Sequence, residues 1–390
     1  MDVLKMFEII HNRCLHCGDG AVAQVESIVK GLGAKQLFLL TYDAKAPALQ
    51  TIKTAAKNAV AAAYVCDIVQ DEPDLLVIDR LASLIKEHAC DAVVALGGGS
   101  VLDAAKAAAM LATNGGTAEE YQMQSRAITC ASLPYIAVPT TAGTGSEATK
   151  VSVIRNQDLD LKKSIYSPYM VAETVILDPV VTVALPPAVT AFTGIDALSH
   201  AVESYVSLNA NVYTKMYGLK AIELIAKSLV NAVSDGNNKE ARADMLYASY
   251  FAGCALHAGI GLAHIIAQPL GGLFKIPHGE ACSVFLPHAM EFNLAQCVSE
   301  YCEIGRAMGL PLEGNTEENA KKTIEKVKNI ISTVKTATHI TPYLKAANKQ
   351  MDEKALDETV AFVMKATGHI KCNPRPVDET VIKTTIKRTL

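Results

Sequence analysis

The chain lacks any stretch approaching the roughly 20 uninterrupted apolar residues of a membrane helix, which argues against a helical span. Its opening, MDVLKMFEIIHNR, has charges scattered through it where a secretory leader would be continuously apolar. The expectation is a soluble, cytoplasmic protein. A dominant charge sign is missing as well: 36 Lys and Arg stand against 40 Asp and Glu, a formal net charge of -4, with no long single-sign run. Without a basic footprint for a polyphosphate backbone, no nucleic-acid partner is expected. Glycine and proline number only 24 and 15, and 19% of the residues are charged, so disorder does not fit. Half of the 390 residues are hydrophobic, more than one core usually takes up, so two domains of roughly 150–200 residues are expected.

The ten cysteines are irregularly spaced, and a core this large needs no disulfide staples, so they read as reduced thiols. Cys14 and Cys17 form a C-x-x-C, open to reading as half a zinc site or a redox pair. No second C-x-x-C completes a four-thiolate site and no redox-domain pattern surrounds it, which leaves an ordinary structural reading.

Short β-rich runs alternate with helical segments through the first part. KQLFLLTY (35–42), AYVCDIV (63–69), DAVVAL (91–96) and YIAV (135–138) read as strands, with helices over 44–62, 73–89 and 101–112 between them. Such alternation predicts a Rossmann-like parallel sheet covered on both faces, whose ligands gather beyond the carboxyl ends of the strands. After DPVVTVALPP (178–187) apolar residues recur every three or four positions, as in TKMYGLKAIELIAKSLVNAV, and strand runs fade. The expected division is therefore an α/β nucleotide-binding domain over 1–187 and an all-helical domain over 188–390.

Leu96-Gly97-Gly98-Gly99-Ser100 lies between a predicted strand and a predicted helix. There, unpaired N–H groups and the helix dipole attract a phosphate, the glycines allow close backbone approach, and Ser100 is a candidate N-cap. It is neither a G-x-G-x-x-G nor a Walker loop. A second turn, Pro139-Thr140-Thr141-Ala142-Gly143-Thr144-Gly145-Ser146-Glu147, follows the strand at 135–138 and is rich in small hydroxyls suited to phosphates and ribose. Two such turns at one sheet edge fit a dinucleotide crevice. In GIDALSHAVE, Asp196 and His200 are four residues apart and share a helix face. With His264 and His278 they make three imidazoles and one carboxylate, a donor set suited to iron(II) or zinc(II).

These segments resemble the iron-containing (group III) alcohol dehydrogenase family over almost the whole chain. The resemblance is carried by GGGSVLDAAK (97–106), PTTAGTGSE (139–147), LDP (177–179), GIDALSHAVE (194–203), the pair His264 and His278 ending in PHGE, and NPRP (373–376). It implies the dehydroquinate synthase-like fold, with an α/β nucleotide domain followed by an all-helical one. It further implies that Asp196, His200, His264 and His278 bind the catalytic metal, Fe(2+) or alternatively Zn(2+). Gly98, Gly99 and Ser100, beside Gly97, would contact the pyrophosphate, while Thr140, Thr141 and Thr144 line the nucleotide site. Asp103, counted on the cofactor side, and Lys106 would brace their turn, and Lys163 matches a lysine near the cofactor ribose. No side chain beyond the metal ligands is assigned a catalytic role.

The chain departs from the family pattern in three places. Gln268 stands where many relatives have a second histidine, implying proton relay through ribose hydroxyls and water, since an amide is no acid or base near neutral pH. Tyr42 followed by Asp43 stands at the end of the first strand, where an aspartate often meets the ribose 2'-hydroxyl; Asp43 favours NAD(H) over NADP(H). Glu72-Pro73 replaces a common Asn-Pro, which weakens any adenine contact borrowed from the family. The function implied is NAD(P)-linked interconversion of a short primary or functionalised alcohol with its aldehyde, by a homodimer or an assembly of dimers. The alternatives are a zinc polyol dehydrogenase or an NAD-using cyclising synthase on the same fold, or a non-catalytic nucleotide-binding protein.

Overall fold

The computed structural model describes residues 6–159, 161–366 and 370–390; the expectation drawn from the first five residues lies outside them. The strands are β1 (Cys14–Cys17), β2 (Gln36–Thr41), β3 (Ala62–Cys66), β4 (Ala92–Gly97), β5 (Tyr135–Pro139), β6 (Val151–Asn156), β7 (Leu161–Tyr166) and β8 (Thr174–Leu177). The helices among them are α1 (Val25–Leu32), α2 (Pro47–Lys57), α3 (Leu75–Glu87), α4 (Gly99–Asn114) and α5 (Ala118–Gln122). Six strands form one sheet in the order β1-β8-β5-β4-β2-β3, every pair parallel, with Leu37 opposite Ala92 and Val93 opposite Tyr135.

Alternate strand residues face opposite ways, and both faces are buried. Leu37, Leu39, Val94, Ile136 and Ile176 pack with α1 and α2, whereas Phe38, Leu40, Val93, Ala137 and Val175 pack with α3 and α4. The chain steps from β2 outward to β3 and then back across to β4 on the other side of β2. That reversal leaves a crevice at the carboxyl ends of β2 and β4, the place where a doubly wound sheet takes its ligand.

The elements expected from the sequence form with shifted ends. The helix expected from 44 begins at Pro47, whose missing N–H costs nothing in a first turn, and gives way after Lys57. The strand expected over 63–69 runs only over Ala62–Cys66. Asp74 caps α3, its side chain accepting from the Val77 N–H at 2.8 Å. Four strands were not expected: β1 and β8 on one side of the sheet, and the antiparallel pair β6 and β7, which packs against α4 and α5.

From Pro187 onward the described chain is helical: α6 (Pro187–Val206), α7 (Val212–Ser234), α8 (Lys239–Ala255), α9 (Leu262–Phe274), α10 (His278–Asn293), α11 (Val298–Ala307), α12 (Glu317–Val334), α13 (Thr341–Ala346), α14 (Glu353–Ala366) and α15 (Glu379–Lys387). Helix α6 is buried without a break from Gly194 to Val206, enclosed by α7, α8 and α10. Helix α8 ties this part to the sheet. A Cβ on Gly145 would meet the Gly253 Cα at 2.6 Å, so the second glycine-rich turn sits directly on the helix backbone. Among the described residues no single helix is long and apolar enough to cross a membrane.

Candidate active site

Three helices bring the four expected metal ligands together. Asp196 and His200 project from one face of α6, His264 lies in the first turn of α9, and His278 opens α10. Asp196 Oδ1 is 3.8 Å from His200 Nε2, 3.5 Å from His264 Nε2 and 3.4 Å from His278 Nε2. These gaps are long for hydrogen bonds, and this buried oxygen has no hydrogen-bond partner. They match the spacing of two donors on one cation: at about 2.1 Å from a tetrahedral ion, O and N ligands stand about 3.4 Å apart. An orphaned carboxylate oxygen facing three ring nitrogens therefore fits a divalent ion.

The electrostatics divide the three rings: against burial, Cys282, Glu203 and Asp196 hold His264 well above the ordinary imidazole value, so that ring favours its cation where the other two favour the neutral form. Burial would raise the Asp196 pKa, but His200, His278 and His264 outweigh it and hold the carboxyl well below its ordinary range. Burial lowers His200 and pushes His278 down to about 3, so both are neutral donors at physiological pH.

Two residues that the sequence analysis passed over complete the cluster. Glu203, one turn beyond His200, accepts from the Ala263 N–H at 2.6 Å, and its Oε2 is 2.5 Å from His264 Nδ1. It thereby satisfies a first-turn N–H of α9 and turns His264 Nε2 toward Asp196. Cys282, one turn beyond His278, has its Sγ 3.5 Å from His264 Nε2 and 3.7 Å from His278 Nε2. Helical spacing within GIDALSHAVE and PHGEAC is the signal that would have found both. All ten cysteines are free thiols; the exposed Cys14 and Cys17 lie on β1, with Cys14 Sγ 3.3 Å from His16 Nε2.

The two glycine-rich turns meet at the crevice. The Thr140 N–H donates to the Gly97 carbonyl at 3.0 Å. A Cβ on Gly98 would meet Thr141 at 3.2 Å, and one on Gly99 would meet Thr144 Cγ2 at 2.6 Å. The cap expected at Ser100 falls two residues earlier: Gly98 is the N-cap, without a side-chain cap, and Ser100 lies inside the first turn of α4. The first-turn N–H groups of α4 thus point toward the crevice without an intrahelical acceptor.

Asp103 and Lys106 brace this turn from within. Asp103 accepts from Ser146 Oγ at 2.5 Å and the Val153 N–H at 3.0 Å, while buried Lys106 donates to the carbonyls of Ser146 at 2.6 Å and Val151 at 2.8 Å. Tyr42, 41% exposed, and Asp43 follow β2 at the crevice, with Asp43 Oδ1 accepting from the Lys45 N–H. Lys163 sits on β7 with its ammonium 3.6 Å from Met123 Sδ. A cavity of about 530 Å³, lined by Glu72, Arg155, Lys162, Gln268, Lys275 and Pro277 among others, lies between the β6–β7 hairpin and α9, beside His278.

A family model described as "Iron-containing alcohol dehydrogenase" matches residues 12–179, and one described as "Fe-containing alcohol dehydrogenase family, C-terminal" matches residues 190–390. The chain is 37% identical over 342 residues to long-chain-alcohol dehydrogenase 1 of Geobacillus thermodenitrificans, covering 85% of each chain. It is similar to the solved structure of a 1,3-propanediol oxidoreductase, with TM-score 0.91 and 31% identity over 99% of this chain and 100% of that one. It is also similar to sulfoacetaldehyde reductase from Bifidobacterium kashiwanohense in complex with NAD+, with TM-score 0.88 and 28% identity over 99% of each.

Proposed function

The chain belongs to the iron-containing alcohol dehydrogenase family, and from that premise we propose that Asp196, His200, His264 and His278 would hold a catalytic iron(II) and that the crevice between the two glycine-rich turns would take NAD(H). The reaction class is NAD-linked interconversion of alcohol and aldehyde; the substrate pair we assign is a short primary or functionalised alcohol and its aldehyde. The observation that carries this reading is the buried, partnerless Asp196 Oδ1 surrounded by three imidazole nitrogens. When bound, the ion supplies a Lewis acid for the substrate oxygen and the nicotinamide exchanges hydride with the substrate carbon.

The chain's own side chains do the rest. Asp196 offsets cationic charge, and Glu203 fixes the His264 ring with Nε2 toward the site. Gln268 lines the cavity and can orient a substrate oxygen by hydrogen bonding, but its amide cannot exchange a proton near neutral pH. The proton on the alcohol therefore exchanges with solvent through the cavity. On the cofactor side, Gly97, Gly98, Gly99 and Ser100 admit the pyrophosphate to the α4 N-terminus. Thr140, Thr141 and Thr144 face it from the opposite turn, with Asp103 positioning that turn through Ser146. Asp43, next to Tyr42 at the end of β2, disfavours a 2'-phosphate by like charge and selects NAD(H); the ribose-side role expected of Lys163 does not fit its place, since its ammonium rests on Met123 and it is Lys162, on the opposite face of β7, that lines the cavity. We assign residues 1–187 to the nucleotide domain and 188–390 to the helical domain of a cytoplasmic homodimer or assembly of dimers.

The test is a panel of short aldehydes, including lactaldehyde, succinic semialdehyde and sulfoacetaldehyde, assayed with NADH and NADPH after reconstitution with iron(II) or zinc(II). Metal-dependent oxidation of NADH, in stoichiometric yield with alcohol, is expected. Turnover surviving in metal-free protein would sink the Lewis-acid role, and product formed without net change in NADH would point to a cyclising synthase.

A further inference from the structure

We propose that the substrate's tail ends in a compact monoanion, a carboxylate or sulfonate, held by Arg155, Lys162 and Lys275 in the cavity beside His278. The inference rests on the proposed alcohol–aldehyde reaction and names its substrate class. Pro277 and Gln268 line the cavity, so one end of it adjoins His278 and lies one turn beyond His264. None of its described lining residues belongs to the two glycine-rich turns, so it is a space apart from the proposed pyrophosphate site. A small-molecule cavity of about 530 Å³ is ordinarily lined by apolar side chains with a few placed polar groups. Here five of the twelve lining residues, Asp71, Glu72, Arg155, Lys162 and Lys275, are charged. Three cations against two carboxylates leave an excess of one positive charge, which suits a monoanion better than a phosphate dianion.

The placement of the cations points to a ligand. Arg155 on β6 and Lys162 on β7 are direct partners in the antiparallel ladder, so their side chains leave the same face of the hairpin, with Cβ atoms about 5 Å apart. Like charges directly opposite each other weaken a sheet pair. The loop after β3 fixes the two in place: the Arg155 N–H donates to the Pro73 carbonyl at 2.9 Å, and Glu72 engages Lys162. Burial first, then the positive charges of His264 and Lys162, hold His278 down, so the Lys162 ammonium is within electrostatic reach of the proposed metal site. The other wall supplies Lys275 independently. It is the C-cap of α9 with φ 53° and ψ 38°, the left-handed conformation that glycine ordinarily fills. Among the described residues Lys275 is in no ion pair, so a strained backbone position carries an uncompensated ammonium on the cavity wall. A carboxylate or sulfonate offers acceptor oxygens to all three, and the guanidinium can engage two of them at once.

Iron-reconstituted full-length protein with NADH is assayed on succinic semialdehyde and on its methyl ester, which keeps the carbon chain and removes the charge. The acid is expected to exceed the ester by about tenfold or more in kcat/KM, the scale of a hydrogen bond to a charged group. Sulfoacetaldehyde against propanal repeats the comparison for a sulfonate, and a preference of that size in either pair supports the proposal. Lys275→Gly suits the left-handed C-cap better than lysine does and so keeps the fold. It is expected to cut the preference about fivefold, with the loss in KM for the anion rather than in kcat, and Arg155→Gln is expected to do the same. Lys275→Glu is expected to abolish it. A smaller preference in both pairs, or one that the variants leave unmoved, overturns the anion site and leaves the alcohol–aldehyde reaction standing. Where no aldehyde turns over, calorimetry decides. Binding of 4-hydroxybutyrate about tenfold or more tighter than 1,4-butanediol keeps the anion site while sinking the reaction, and anything less sinks both.

Discussion

His264 is clamped on both sides, Glu203 behind its Nδ1 and the orphaned Asp196 oxygen before its Nε2. Removing the ring deletes a proposed metal ligand and leaves Glu203 and Asp196 as buried carboxylates without it, a strongly unfavourable pairing. His264→Ala is therefore expected to lose most of its metal content, measured by elemental analysis, and turnover with it. Gln268 makes the contrast. It lines the cavity without belonging to the cluster, and an amide transfers no proton. General acid–base groups contribute about 100- to 10,000-fold to rate, so Gln268→Ala, which removes none, is expected to lower kcat less than about tenfold with metal retained. A collapse in kcat at full metal occupancy would mean that the amide holds an indispensable water or substrate contact.

At the scale of elements, the proposed cofactor site depends on two turns packed closer than side chains normally allow. Gly99→Ala would drive a Cβ to within 2.6 Å of the Thr144 methyl, pushing the turns apart where the α4 N-terminus needs close approach. The expected result is a rise of about tenfold in KM for NADH, about 1.4 kcal/mol, with metal content unchanged. Adding Thr144→Ser, which removes that methyl, is expected to restore part of the loss; two additive defects would show that the contact is not the cause. The turns were legible because each follows a strand of continuous apolar residues, and so were the long buried strands β2, β4 and β5. The short strands were not. CLHC at β1 is mostly exposed and, like TVIL at β8, only four residues long, so neither carries a period; each is made a strand by its neighbour in the sheet. The hairpin escaped for a related reason, since Asn156 and Ser152 are buried polar residues that interrupt the alternation expected of a two-faced strand. Glu203 and Cys282 were legible only as helix neighbours of the ligands, because what gives them meaning is contact with α9, far away in sequence.

The whole molecule turns on the region where the sheet, the second turn and α8 meet, and there it buries more carboxylate than cation. Lys106 faces both Asp103 and Glu147, the first largely and the second fully buried, so one ammonium cannot neutralise two ionised carboxylates. Glu147 resolves the excess: burial pushes its pKa up from 4.5 to about 7 despite Lys106, and its Oε1 has no hydrogen-bond partner. Between those two values the folded protein keeps a proton that the unfolded chain has released, so stability is full below about pH 4.5 and falls as pH rises through about 7. At about 1.4 kcal/mol per pH unit, this group alone removes up to about 3 kcal/mol across the window. Glu147→Gln keeps the shape and the neutral state, so the variant is expected to match the wild type near pH 4.5 and to become progressively more heat-resistant than it up to about pH 8. Melting temperatures of both proteins, measured at half-unit pH intervals, check this. A constant gap between the two curves would mean that Glu147 is ionised throughout the range and that Lys106 serves it rather than Asp103.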